Sequence, residues 1–174
     1  MEPINVLITC SNIHVKNMID CLKNNYEGTK VNVYCVNSVE WDLPQEGECD
    51  GAFVVPKATA PSYFPYLLTL CKKLKIDVVF PVTSIDLDAM AWHKEEFAEH
   101  GIHIAVTSPE SMKVANDKIA LQRMFPQYMP KQIVAKDYGD VIPFLKTVNG
   151  RICCKVANMC GGRGFAVVDN DKCL

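Results

Sequence analysis

The chain has no Cys-x-x-Cys pair, no apolar run approaching membrane-spanning length, and no basic leader ahead of its first apolar segment, Ile4 to Cys10. Each absence removes a class of protein. Without paired cysteine spacing a structural zinc site lacks its usual ligands, and Cys153 and Cys154, neighbours on a predicted strand, point to opposite faces. A seven-residue apolar segment is too short for a signal-peptide core, and no later stretch can span a bilayer. Net charge is small as well: 18 basic against 20 acidic residues give −2, so no global basic field exists to draw nucleic acid or an anionic membrane. The nine cysteines, Cys10, Cys21, Cys35, Cys49, Cys71, Cys153, Cys154, Cys160 and Cys173, are odd in number and lack a secreted disulfide framework. They are expected to be reduced and mostly in the core, and the chain to be cytoplasmic.

What is present is an ordinary globular mixture. Of 174 residues, 49% are hydrophobic and 22% charged, enough to bury one good-sized domain, or one domain and part of another. Asn5 to Cys10 is a β-branched apolar run, followed by apolar residues at helical spacing, Val15, Met18, Ile19 and Leu22. Val31 to Val36 and Ala52 to Val55 predict two more strands, with Pro44, Gly47 and Gly51 in the loop between them. A helix is predicted over Tyr63 to Leu74, then a strand over Asp77 to Val82, so uniformly apolar that both its faces must be covered. A helix from about Ser84 to His100 and a strand at Ile102 to Val106 follow. Strand and helix in alternation predict an α/β, Rossmann-like parallel sheet with right-handed crossovers.

The rhythm changes near residue 112, the predicted domain boundary. Ser108-Pro109 opens a helical stretch that breaks at Asn116-Asp117 and ends before Pro126. Beyond it come a predicted strand at Ile133 to Ala135, a helix over Tyr138 to Val148, a strand over Arg151 to Val156, a glycine loop, and a strand over Phe165 to Asp169. Residues 113–174 thus read as a small α+β unit, and its exposed strand edge allows a homodimer.

The strongest local signal is that loop. Three of the chain's nine glycines, Gly161, Gly162 and Gly164, fall within four residues, flanked by Lys155 and Arg163. Glycines let backbone N–H groups approach an anion, and the two cations suit phosphate oxygens. A β-hairpin with a glycine-rich turn explains the same residues without a ligand, and both readings stand at this point. A Walker loop does not fit, because Gly164 runs into the strand-like Phe165-Ala166-Val167-Val168 rather than a helix. Nor does a dinucleotide fingerprint, because the first strand is followed by Cys10-Ser11-Asn12, with no glycine.

Asn116-Asp117-Lys118 on a helix, then Lys155 on a strand, then Gly162-Arg163-Gly164, all behind a Rossmann-like domain, resembles the ATP-grasp superfamily. The segments Cys49-Asp50, Val54-Val55-Pro56, Ile76 to Pro81 and Gly101-Ile102-His103 are similar to its carbamoyl-phosphate synthase large-subunit branch. The resemblance implies a pre-ATP-grasp domain over 1–112 and an incomplete ATP-grasp α+β subdomain over 113–174. It implies that Lys118 and Lys155 contact ATP phosphates while Gly161, Gly162, Arg163 and Gly164 fold over them. The glycines themselves predict that the loop from Asn158 to Gly164 is mobile without nucleotide, with nothing in the sequence to pin its tip. The resemblance further implies a ligase that activates a carboxylate as an acyl phosphate and joins it to an amine or ammonia. The Mg²⁺ ligands of that family are expected outside these residues, so that the chain alone would bind nucleotide weakly and not turn over. The substrate acid is unidentified.

Asp86 and Asp88 follow the predicted central strand and so lie near its ligand-binding end, yet acidic residues in a first helical turn also suit the helix dipole. His14 reads as a surface residue. The alternative function is a non-catalytic α/β module that binds a metabolite or partner chain in the sheet crevice.

Overall fold

The computed structural model describes residues 2–11, 15–148, 150–159 and 161–169. Two compact units divide the chain, Met1–Met112 and Lys113–Leu174. No helix among the described residues is long and apolar enough to cross a membrane.

The first unit is built on β1 (Ile4–Thr9), β2 (Val31–Asn37), β3 (Gly51–Val54), β4 (Val78–Pro81) and β5 (His103–Ile104), a parallel sheet in the order β3-β2-β1-β4-β5. β1 is the middle strand, and alternation along it sends side chains into two cores. Val6 and Ile8 face one way, packing with Val33 and Cys35 under Val15 and Ile19 of the helix α1 (Lys16–Lys23) and its approach. Leu7 faces the other way and packs with Val36 and Val79 beneath α2 (Tyr63–Leu74) and α3 (Ser84–Ala98), which contribute Tyr63, Leu67, Cys71, Met90 and Phe97. Having helices on both faces is why these strands read as continuous apolar runs rather than alternating ones.

Two aspartates fix the register at the N-terminal ends of the strands. Asp77 Oδ2 accepts from the Asn5 N–H at 2.7 Å, and Asp50 Oδ2 accepts from the Val33 N–H at 2.7 Å while pairing with Lys23 at 3.0 Å. Burial pushes the Asp50 carboxyl up, but the Val33 N–H and Lys23 outweigh it and hold it below its ordinary value.

β5 is shorter than the predicted strand over 102–106. The ladder ends because Val106 turns its N–H back to the Ile104 carbonyl, and Lys94 Nζ takes the Val106 carbonyl at 2.7 Å. The predicted core role of the cysteines is also corrected. Of the seven described thiols, all free, only Cys35 and Cys71 are buried. Cys21 lies on the outer side of α1 and Cys153 on the exposed face of a hairpin, where a small apolar side chain is tolerated without being needed. His14, Cys160 and Cys173 lie outside the described residues.

The helix α4 (Pro109–Asn116) leads out of the first unit, and the second contains α5 (Lys118–Met124), α6 (Tyr138–Leu145), β6 (Arg151–Lys155) and β7 (Phe165–Asp169). Asp117 caps α5, accepting from the N–H groups of Ile119 and Ala120 at 2.8 and 3.2 Å, which is why the helical stretch breaks at that residue. Asp137 caps α6 in the same way. β6 and β7 form an antiparallel hairpin, Arg151 opposite Asp169 and Lys155 opposite Phe165. The strand predicted at 133–135 is absent: Ile133 and Val134 are exposed and pair with no strand among the described residues, and an apolar β-branched run without a ladder partner has no strand to join.

Phe97, fully buried on α3, anchors the larger core. Phe97→Ala should lower unfolding free energy by about 3–5 kcal/mol in urea titrations followed by circular dichroism. Tyr26→Ala, at a side chain 97% exposed, should change it by less than about 0.5 kcal/mol.

Candidate phosphate-binding site

The hairpin makes the site. Lys155 closes β6 opposite Phe165, and one further rung, the Val156 N–H to the Gly164 carbonyl at 3.1 Å, carries the ladder to the foot of the glycine loop. Gly164 has φ +66°, and a Cβ there would lie 2.5 Å from Val156 Cγ2. Both the left-handed backbone and the close approach of Val156 require glycine at this position. Gly161 and Gly162 also lie in the left-handed region, at φ +64° and +73°.

Lys118 reaches the loop from the start of α5. Its backbone N–H donates to the Ala157 carbonyl at 3.1 Å, and its Nζ donates to the carbonyls of Ala157 at 3.1 Å and Met159 at 2.7 Å. The expectation that nothing pins this loop is therefore corrected at Met159. The pin left no trace in the sequence because the acceptors are backbone carbonyls, which every residue type supplies.

Between these elements lies a concavity of about 310 Å³, lined by Lys118, Lys155, Val156, Met159, Gly161, Gly162, Arg163, Gly164 and Phe165. All six residues singled out from the sequence, Lys118, Lys155, Gly161, Gly162, Arg163 and Gly164, line it together. Val156, Met159 and Phe165 were not anticipated; they supply its apolar wall. Three cationic side chains face the space, no acidic residue lines it, and Lys155 makes no ion pair among the described residues. Two lysines and an arginine around one concavity suit a multiply charged anion such as a phosphate chain. The turn of the hairpin forms part of the wall of this concavity.

The two aspartates beyond β4 separate. Asp88 is exposed but lies beyond the first turn of α3, in which Asp86 is the acidic residue. Asp86 is fully buried, and its Oδ1 receives the Tyr63 hydroxyl at 3.4 Å. A solvated helix-dipole role does not describe it.

A family model described as PylC-like, N-terminal domain, matches residues 6–105. No curated protein matches the chain in sequence. Among solved structures, biotin carboxylase of Campylobacter jejuni, in its β-γ-ATP complex, is similar with a TM-score of 0.64 at 20% identity, over 98% of this chain and 39% of that one. The biotin carboxylase domain of Hydrogenobacter thermophilus 2-oxoglutarate carboxylase, solved with MgADP, ADP and bicarbonate, gives 0.61 at 14% identity over 99% and 39%. N5-carboxyaminoimidazole ribonucleotide synthetase of Thermotoga maritima gives 0.58 at 14% over 98% and 43%. The chain spans 39–43% of the length of these relatives, and at such identities the likeness establishes the fold.

Gly164→Ala tests the loop's geometry. The left-handed backbone and the Val156 contact should together destabilise the hairpin by about 1–3 kcal/mol, read as faster amide exchange at Val156 with exchange across β1 unchanged.

Proposed function

The chain belongs to the PylC-like N-terminal domain family, and from that premise we propose that it serves as the front portion of an ATP-grasp ligase that activates a carboxylate with ATP and joins it to an amine or ammonia. Its fold is that of the N-terminal portion of ATP-grasp enzymes. Residues 1–112 would be the pre-ATP-grasp domain and 113–174 the opening part of the ATP-binding domain. The observation that carries the proposal is the convergence of Lys118, Lys155, Arg163 and the Gly161–Gly164 turn on one concavity that no acidic residue lines among the described residues. The nearer likeness to carbamoyl-phosphate synthase large subunits rests on the sequence segments around Val54-Val55-Pro56 and Ile76 to Pro81.

In this reading the chain's own groups bind and orient. Lys155, exposed at the strand end and in no ion pair among the described residues, offers its ammonium to a phosphate oxygen. Lys118 has a third donor beyond the two that hold Ala157 and Met159, and the glycine N–H groups complete the shell. Phosphoryl transfer depends mainly on positioning and on charge placed where negative charge builds up, and these groups provide both without base-specific contacts. Magnesium, which such transfers use to bridge phosphates, finds no cluster of three acidic, histidine or cysteine ligands among the described residues, and no step is assigned to it. ATP as cosubstrate accords with a cytoplasmic setting.

Lys155→Ala should weaken ATP binding by about 1.5–3 kcal/mol, or roughly 10- to 150-fold, in calorimetric titrations, with the thermal melt little changed because the side chain is exposed. Unaltered ATP affinity would return the loop to an ordinary glycine-rich hairpin and leave a non-catalytic α/β module as the better description.

A further inference from the structure

The crevice of the parallel sheet contains a second set of polar groups that the phosphate site does not use. After β1 the chain departs to the face covered by α1, and after β4 to the face covered by α3. Neighbouring strands whose connections diverge in this way open a crevice at their carboxyl ends, where open α/β sheets receive ligands. Thr9 and Pro81, paired in register, are the last residues of those strands.

Three side chains meet there. Asp86, from the first turn of α3, is fully buried, and its Oδ2 has no hydrogen-bond partner. Thr9 is fully buried, and its Oγ1 has none either. The Tyr63 hydroxyl, at the start of α2, donates to Asp86 Oδ1 at 3.4 Å and lies beside Thr9. Half-buried Cys10 and Thr83, in contact through thiol and hydroxyl, form the rim. Burial, and then the charge of Asp86, push the Cys10 thiol up to about 12 and the Tyr63 hydroxyl above its ordinary range. Both stay protonated, so thiol and phenol face Asp86 as donors.

A buried carboxylate held by a neutral hydroxyl and a neutral thiol, with no cation paired to it among the described residues, costs several kcal/mol unless something else pairs with it. A divalent metal is not the natural partner, since one carboxylate and two hydroxyls are a poor ligand set. A group with several donors and a positive charge satisfies both orphaned oxygens at once, and a primary ammonium carries three donors and no acceptor.

We propose that Asp86, Thr9 and Tyr63 form a binding site for a primary ammonium group, which, resting on the ligase reading above, belongs to the amine or ammonia that the enzyme joins to its activated acid.

The test is a titration of the ¹⁵N-labelled chain with methylammonium chloride and with ammonium chloride, against tetramethylammonium chloride at equal ionic strength as a cation without donors. Amide shifts at Thr9, Cys10, Tyr63 and Asp86 should saturate with the first two salts and not with the third. Response to methylammonium but not ammonium marks an organic amine, and the reverse marks ammonia. Asp86→Asn, which keeps shape and removes charge, should weaken the titration at least tenfold without lowering the melt. Should that variant misfold, Thr9→Val and Tyr63→Phe should each weaken it severalfold. Shifts absent with the wild-type chain, or equal with tetramethylammonium, would overturn the proposal and leave a bound water as the partner of Asp86. Failure of the ligase reading has a different signature, since ATP affinity insensitive to Lys155→Ala, with methylammonium binding intact, would leave an amine site on a chain that is not a ligase.

Discussion

The larger unit depends on the burial of β1 on both faces. Val6 and Ile8 fill one core and Leu7 the other, so the strand cannot shift by one residue without exchanging its two sets of side chains. That constraint fixes the partners on either side, β2 and β4. It also separates the helices, α1 beneath one face and α2 with α3 over the other. The divergence of the chain after β1 and β4 follows from it, and with that divergence the crevice in which Thr9, Tyr63 and Asp86 meet.

The second unit rests on a smaller device. A two-stranded hairpin is marginal in water by itself, and here its open end is tied across to α5 through Lys118. Asp117 makes this possible by capping α5, which brings Lys118 to the helix start and its backbone N–H to Ala157. The sequence Asn116-Asp117-Lys118 therefore does two things: Asp117 ends one helix path and begins another, and the next residue reaches the loop 39 positions later.

Legibility followed how local each cause was. The helix Tyr63–Leu74 was readable to its ends because its apolar spacing and the preceding Pro61 lie within it or beside it, and β6 and β7 because a glycine cluster separates two short β-branched runs. Where the cause was remote, the sequence was silent. β5 is cut short by Lys94 reaching Val106, and no pattern within 102–106 foretells that contact. Ile133 to Ala135 has strand composition without a partner, and composition alone does not make a ladder. Asp86 and Asp88 look alike two positions apart, yet one is sealed beneath Tyr63 and the other is in water. Helical geometry turns those positions to different sides, but which side meets the sheet edge is decided by α2, far away in sequence. For the glycine loop, residue identity marked the place, whereas the carbonyl acceptors of Lys118 carry no residue signature.

The two hydrogen bonds from Lys118 Nζ to the loop carry a thermodynamic consequence. An ammonium has three protons to give, and two are committed to Ala157 and Met159. An anion arriving in the concavity shares that cation with the loop's own carbonyls, so filling the hollow and holding the loop draw on one charge. An anion that meets the third proton leaves both carbonyl bonds in place, whereas one that draws Lys118 away weakens its hold on Ala157 and Met159, and to that extent the two equilibria are coupled, each changing the other by the same factor. One lysine thus makes occupancy and loop position reciprocal variables, with no element needed to carry the message between them.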